Sequence, residues 1–319
     1  MRVSFLAAMA AAAALFLQTQ SAAGQQMSAH GGDEIVVTGE RMRTILHDFV
    51  ADISATPSDE NQIARWDHRV CTGVFGMTNR EQAQFVADRI AQRAFSVGLD
   101  AGAPGCRANI VIFITPDANA LSHTLATEYR SLLAVHHDNN THTRGLDALD
   151  SFAGSTRPVR WWHVSDTVSQ DGFRMNPADD HGAFHGDMSM GMGAQVRVFS
   201  PSRLRQAVRQ DFSRVIIVVD ARQAAGHRLD GLADYLAMVS LAQLQPSIET
   251  ASYPSVLNLF SDDRSVTGMT SWDIAYLDGL YHAPRNANSS REQEGRIADR
   301  MGRTLNQSGA SPQPPTANP

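Results

Sequence analysis

The densest run of metal-binding side chains is Asp179-Asp180-His181-Gly182-Ala183-Phe184-His185-Gly186-Asp187-Met188-Ser189-Met190-Gly191-Met192. Two imidazoles, three carboxylates and three thioethers stand there within fourteen residues. Imidazole and thioether are ligands that suit copper, so His181, His185, Met188, Met190 and Met192 form a candidate metal set. The glycines at 182, 186, 191 and 193 argue the other way, since they leave the ligands unorganised. A loop with incidental His and Met residues is the competing reading. His136, His137 and His142 lie in a second polar run and could join the first only if the two loops meet. None of the 12 histidines forms the His-Glu-x-x-His pair that sets two imidazoles one helical turn apart on zinc.

Nucleophilic chemistry has less support. Asp187-Met188-Ser189-Met190-Gly191 approaches the Gly-x-Ser-x-Gly elbow, but aspartate stands where the first glycine must allow the tight turn. His163, Ser165 and Asp166 are neighbours in sequence, whereas triads are assembled in space. A hydrolase would have to gather His163, His181, His185 and Asp187 into one pocket. Trp161-Trp162-His163 could stack on a ligand or divide between the core and the surface of a strand. All 27 basic residues are arginine. Without lysine, Schiff-base catalysis, phosphate-loop nucleotide hydrolysis and protein-kinase chemistry are excluded. Val219-Asp220-Ala221-Arg222 leads into no glycine-rich phosphate loop, and no cofactor is expected. The formal net charge of −6 offers no basic face to nucleic acid.

The elements that must position these groups are legible in part. Thr78 with Glu81 is a capping-box signal for a helix that turns Phe85, Val86, Ile90 and Ala94 to a core and ends at Gly98. Asn109–Thr115 and Arg214–Asp220 read as buried strands. Val159–Val164 and Ala194–Phe199 alternate, as strands with one exposed face do. Helices are expected from Asp117 through Leu133, at Ser202–Asp211, at Leu229–Leu244 with Leu232, Leu236, Val239 and Leu241 inward, and near Ser271–Tyr281 and Arg291–Met301. The polar runs 136–156 and 169–193 read as loops. This order predicts one α+β domain over residues 44–305, with a mixed sheet packed by helices. Residues 25–43 read as a flexible lead-in, and 306–319, with four prolines, as a disordered tail.

Arg2, the apolar run Val3–Leu17 and the small residues Ser21-Ala22-Ala23-Gly24 read as a secretory signal peptide over residues 1–24. The apolar run is shorter than the roughly 20 residues of a membrane span. A periplasmic or secreted protein follows, with no integral membrane segment after cleavage. Cys71 and Cys106 are the only cysteines. In an exported chain their one possible pairing is a disulfide, and two free buried thiols are the alternative. Such a bridge closes a loop of roughly 36 residues and contributes about 3–4 kcal/mol.

Three resemblances add to this reading. Asp33-Glu34-Ile35-Val36-Val37-Thr38-Gly39-Glu40-Arg41 resembles the segment that opens the plug of TonB-dependent outer-membrane receptors, over nine residues of a chain far too short for their barrel. The stretch Leu232–Tyr281 resembles the zincin metallopeptidases, especially the matrixin-like ones. Its parts are Gly231-Leu232-Ala233-Asp234-Tyr235-Leu236-Ala237-Met238-Val239, the turn Pro254-Ser255-Val256-Leu257-Asn258-Leu259, and Met269–Tyr281 with Asp273 and the final Leu280-Tyr281. In that resemblance Asp234 and Met238 take the places of the two zinc histidines, Tyr235 that of the glutamate base, and Leu257 that of the turn methionine. It therefore implies a zincin-like scaffold without its zinc site. Over Cys71–Cys106, Asn109–Pro116, the strand ending in Asp220 and Leu232–Tyr281, the mature chain also resembles an exported bacterial family that carries no assigned activity. The leading expectation is a non-catalytic exported protein that binds a partner protein or an envelope component. A hydrolase assembled from dispersed residues and a copper-binding His/Met loop are the alternatives.

Overall fold

The computed structural model describes residues 39–57, 61–134, 140–173, 205–248, 250–261 and 266–309. In chain order its elements are α1 (Gly39–Ile53), β1 (Thr72–Phe75), α2 (Arg80–Ser96), β2 (Ile110–Thr115), α3 (Ala118–Glu128), β3 (Thr141–His142), α4 (Gly145–Gly154), β4 (Val159–Ser169), β5 (Val208–Asp220), α5 (Ala221–Ala224), α6 (Leu229–Leu241), α7 (Ser271–His282) and α8 (Ser290–Gln307). The strands form one mixed sheet in the order β1-β2-β5-β4-β3. β1, β2 and β5 run parallel, and β4 lies antiparallel to β5. The fold is α+β, as the order of elements predicts.

Helices cover both faces of the sheet. Successive strand residues point to opposite sides. Val215, Ile217 and Val219 of β5, with Val159 and Trp161 of β4, pack with α1, α2, α6, α7 and α8. Ile216, Val218, Trp162 and Val164 pack on the other side with α3 and α4. This double cover corrects the expectation for β4. Val159–Ser165 is buried on both faces, because α4 covers the side read as exposed. Trp161 and Trp162 go to opposite cores, where their indole N–H groups donate to the carbonyls of Leu244 (3.3 Å) and Leu133 (2.9 Å).

Other differences have local causes. The helix after Thr78 is capped one residue later: Asn79 accepts from the backbone N–H groups of Glu81 (2.8 Å) and Gln82 (3.2 Å). That register buries Val86, Ile90 and Ala94 and leaves Phe85 exposed. The helix closes as expected at Gly98, whose φ of +83° is a conformation favouring glycine. The expected helix Ser202–Asp211 is instead, from Val208 on, the start of β5. Arg209 bonds there both to Asp211 and to Asp67, and this paired charge hid a buried strand. Arg65 runs beside the same stretch. Its guanidinium donates to the carbonyls of Leu280 and Ala283 at the end of α7, and burial lowers its pKa to about 10.

Within the expected loop 136–156 lies α4, which buries Leu149 and Phe152. The lead-in 25–43 is helical from Gly39, because α1 carries Leu46, Phe49, Val50 and Ile53 on one face. At the other end α8 continues to Gln307. The expected strand Ala194–Phe199 lies outside the described residues.

Candidate functional site

The positions that resemble a zinc site sit on α6, of which every residue from Gly231 to Leu241 is buried. Such a helix is apolar all round, so its own periodicity singles out no face. α6 passes so close under the chain at Thr267 that a Cβ on Gly231 would stand 2.5 Å from the Thr267 carbonyl oxygen. Asp234 is 4% exposed. Arg93 of α2 grips both of its oxygens, Nε to Oδ1 at 3.0 Å and Nη2 to Oδ2 at 3.0 Å. Arg89 stands 3.5 Å away, and the Met269 backbone N–H donates to Oδ2 at 3.1 Å. A carboxylate bonded in this way is a fixed part of the packing between α2 and α6.

Tyr235 is buried against the rings of Phe260 (5.3 Å) and Trp161 (6.5 Å), and burial pushes its phenol above the ordinary range. Met238 is fully buried in the main core. Leu257 lies in a single 3-10 turn, Val256–Asn258. That turn is pinned by Asp273 of α7, which is fully buried. Asp273 accepts from the Ser255 hydroxyl (2.6 Å) and from the backbone N–H groups of Val256 (2.7 Å) and Thr270 (2.8 Å). Thr270 and Asp273 also complete a capping box at the start of α7.

His163 stands on β4 with its ring against Phe212, 5.0 Å between centroids. Its Nε2 lies 2.8 Å from the Val239 carbonyl of α6. A carbonyl only accepts, so Nε2 carries the proton. Burial, with Arg144 nearby, lowers its pKa to about 4. The residues it would need as a hydrolase, His181, His185 and Asp187, lie outside the described residues, as do Met188, Met190 and Met192 of the candidate copper set. So do His136 and His137. His142 is on β3, its Nε2 at 2.8 Å from the Thr167 hydroxyl. Among the described residues no three His, Cys, Asp or Glu side chains converge as a metal site. Cys71 and Cys106 are joined by a disulfide.

A groove that the sequence did not reveal opens at the start of β4. It encloses about 450 Å³ between the end of α4 and Pro246-Ser247. Val159 pairs with Val219, so the groove lies beside the carboxyl end of a parallel strand, where the sheet changes direction. Crevices at that position are where open α/β sheets take ligands. The Asp220 N–H donates to the Pro158 carbonyl (2.8 Å). By alternation the main-chain groups of Val159 and Trp161 point away from β5, toward the open edge. Phe152, Trp161 and Pro246 supply apolar wall, Arg157 and Arg160 the cationic groups. The signal was faint: Leu146, Leu149 and Phe152 have helical spacing, but the Pro246-Ser247 wall is some ninety residues away in sequence. No helix among the described residues is long and apolar enough to cross a membrane. Comparison with protein-family models, curated proteins and solved structures finds nothing that matches this chain.

Proposed function

We propose that this chain is an exported binding protein that performs no chemistry, built on a zincin-like scaffold whose zinc positions serve packing. The observation that carries this reading is the bonding of Asp234. Its carboxylate is held by Arg93, Arg89 and the Met269 N–H, and it is 4% exposed. A catalytic zinc needs three deprotonated ligands and an open position for water. The corresponding positions here carry an ion-paired aspartate, a buried phenol and a core thioether. The groove beside β4 is the surface on which such a protein would act, being concave, largely apolar and edged by arginine.

Export is supported by the apolar leader followed by small residues, and by a disulfide of the kind that persists in oxidising compartments. Partner choice within the envelope follows from what the groove accepts. The test is elemental analysis of protein purified from its native compartment, with casein cleavage assayed with and without chelator. The expected result is no stoichiometric zinc and no chelator-sensitive cleavage. Stoichiometric zinc with cleavage that the chelator abolishes overturns the reading.

A further inference from the structure

We propose that the Cys71–Cys106 bridge is a thiol-exchange site of the folded protein, at which a small dithiol attacks Cys106 and expels Cys71. The inference is independent of the groove beside β4 and concerns the other flank of the sheet, next to β1.

The two sulfurs differ in access. Cys71 is 6% exposed. Cys106 is partly exposed and ends a short loop in which residues 101 and 103–105 are exposed. A cleft of about 130 Å³ opens between that loop, Thr72 of β1, and Asp88 and Ala91 of α2. Cys106 lines it and Cys71 does not. Gly102 lines it too, and a Cβ there would stand 2.4 Å from the Cys106 Sγ. Its φ is not among the positive ones that favour glycine, so glycine at 102 serves to leave room beside the sulfur.

Access decides the chemistry. Exchange proceeds by attack of a thiolate on one sulfur, with the other sulfur as leaving group. The incoming thiolate bonds to the Cys106 Sγ as the bond between the two cysteine sulfurs breaks. Cys71 leaves as a thiolate and takes a proton from water. The second thiol of the reductant, once deprotonated, closes on its own partner sulfur and releases Cys106, which is protonated in turn. The bridge gains two electrons and two protons, and the dithiol becomes a cyclic disulfide.

The backbone makes the step reversible. Val70 shares main-chain bonds with Asp100 (2.9 Å) and Gly102 (2.8 Å), and Cys71 is bonded to Asn109 through both its N–H and its carbonyl. None of these bonds passes through sulfur, so they keep the two thiols facing each other. A small disulfide then restores the bridge by the reverse exchange. The cross-link that ties β1 to the segment containing α2 is thereby set by the surrounding thiol pool.

The competing route is reaction only after the chain unfolds, when both sulfurs are open alike. The experiment treats the full mature protein, under native conditions at fixed pH, with two probes. Sulfite leaves an S-sulfonate on the sulfur it attacks, and peptide mapping reads its position. Dithiothreitol reads the rate of reduction. The same sulfite reaction in guanidinium gives the reference distribution. Under native conditions the S-sulfonate should favour Cys106 over Cys71 by at least about tenfold. Reduction by dithiothreitol should change less than about twofold on adding about 1 M urea, whereas a route through global unfolding would speed at least about fivefold. Asp88 accepts from Gln84 at 2.7 Å, and its carboxylate on the cleft wall repels an anionic nucleophile. Asp88→Asn should therefore react with sulfite about threefold faster at low salt, and the difference should vanish at high salt. The proposal is overturned if the S-sulfonate divides evenly or favours Cys71, if urea speeds reduction as unfolding would, or if Asp88→Asn reacts at the parent's rate.

Discussion

At the scale of single residues, burial has turned groups with catalytic potential into parts of the packing. His163 is the clearest case. Its pKa falls from 6.5 to about 4, chiefly because the imidazolium would lose its water. The folded protein therefore holds this ring neutral at pH values where the unfolded chain protonates it. A base with a lowered folded pKa favours folding above the unfolded value, so stability should fall as the pH drops from about 6.5 to about 4. The loss due to this one residue should be roughly 3 kcal/mol, from about 1.4 kcal/mol per pKa unit. Urea melts near pH 7 and near pH 4 should show the parent losing that much more stability than His163→Met, which pays a constant packing cost at both. Equal losses would mean that His163 is not held neutral. The same logic explains why the sequence made the residue look reactive: a histidine beside serine and aspartate has the letters of a triad, and nothing in the letters reports the surroundings. Asp234 is similar. Its partners Arg89 and Arg93 lie some 140 residues away, on a helix whose polar face reads as solvated.

At the scale of elements, the sequence is most informative where a residue's role is fixed by its immediate neighbours. The β-branched runs of β2 and β5 needed nothing else to be read as interior strands. The end of α2 at Gly98 was equally local. The start of that helix was legible only to within a residue, because Thr78 and Asn79 are both good caps. The structure assigns the role to Asn79, and substitution separates the two. Asn79→Ala should cost about 1 kcal/mol, since two backbone N–H groups lose their acceptor, and Thr78→Ala should be close to neutral. Thermal melts of the two variants decide it; a reversed order would move the cap to Thr78. The strand start at Val208 and the helix α4 differ from the sequence pattern for a common reason. In both, polar letters are satisfied by distant partners or by solvent on one side, and composition masks the apolar stripe. Arg209 needs Asp67, and α4 needs the β4 face on which Phe152 and Trp162 meet at 6.0 Å. The groove was illegible for a stronger version of that reason, since its walls are joined only by the fold.

At the scale of the whole molecule, the sheet has an interior and a weak flank. β5 is central, paired on both sides, and Val215–Val219 are fully buried. Among the described residues β1 is an edge strand of four residues, half-buried to exposed, and parallel to β2, its one neighbour there. Parallel pairing gives it no hairpin, so its register depends on what ties it down beyond the ladder. Cys71, the residue before β1, supplies that tie. It is bonded to Cys106, and its carbonyl accepts from the N–H groups of Asn109 and Ile110, each at 3.0 Å, at the start of β2. The Asn109 side chain returns a bond to the Cys71 N–H at 2.7 Å. One cross-link thus sets the start of two strands and closes the segment that contains α2, the helix whose Arg93 holds Asp234. With a sequence separation of 35, the loop-entropy cost removed from the unfolded chain is roughly 4 kcal/mol. The paired substitution Cys71→Ala with Cys106→Ala should lower unfolding free energy by about that amount, read from urea melts at fixed pH. The loss should match that of the parent measured with reductant present, because both remove the same loop. Hydrogen exchange should then quicken first in β1 and α2, while β5 stays protected. Quickening spread evenly through β5 would show that the bridge supports the whole sheet rather than its flank.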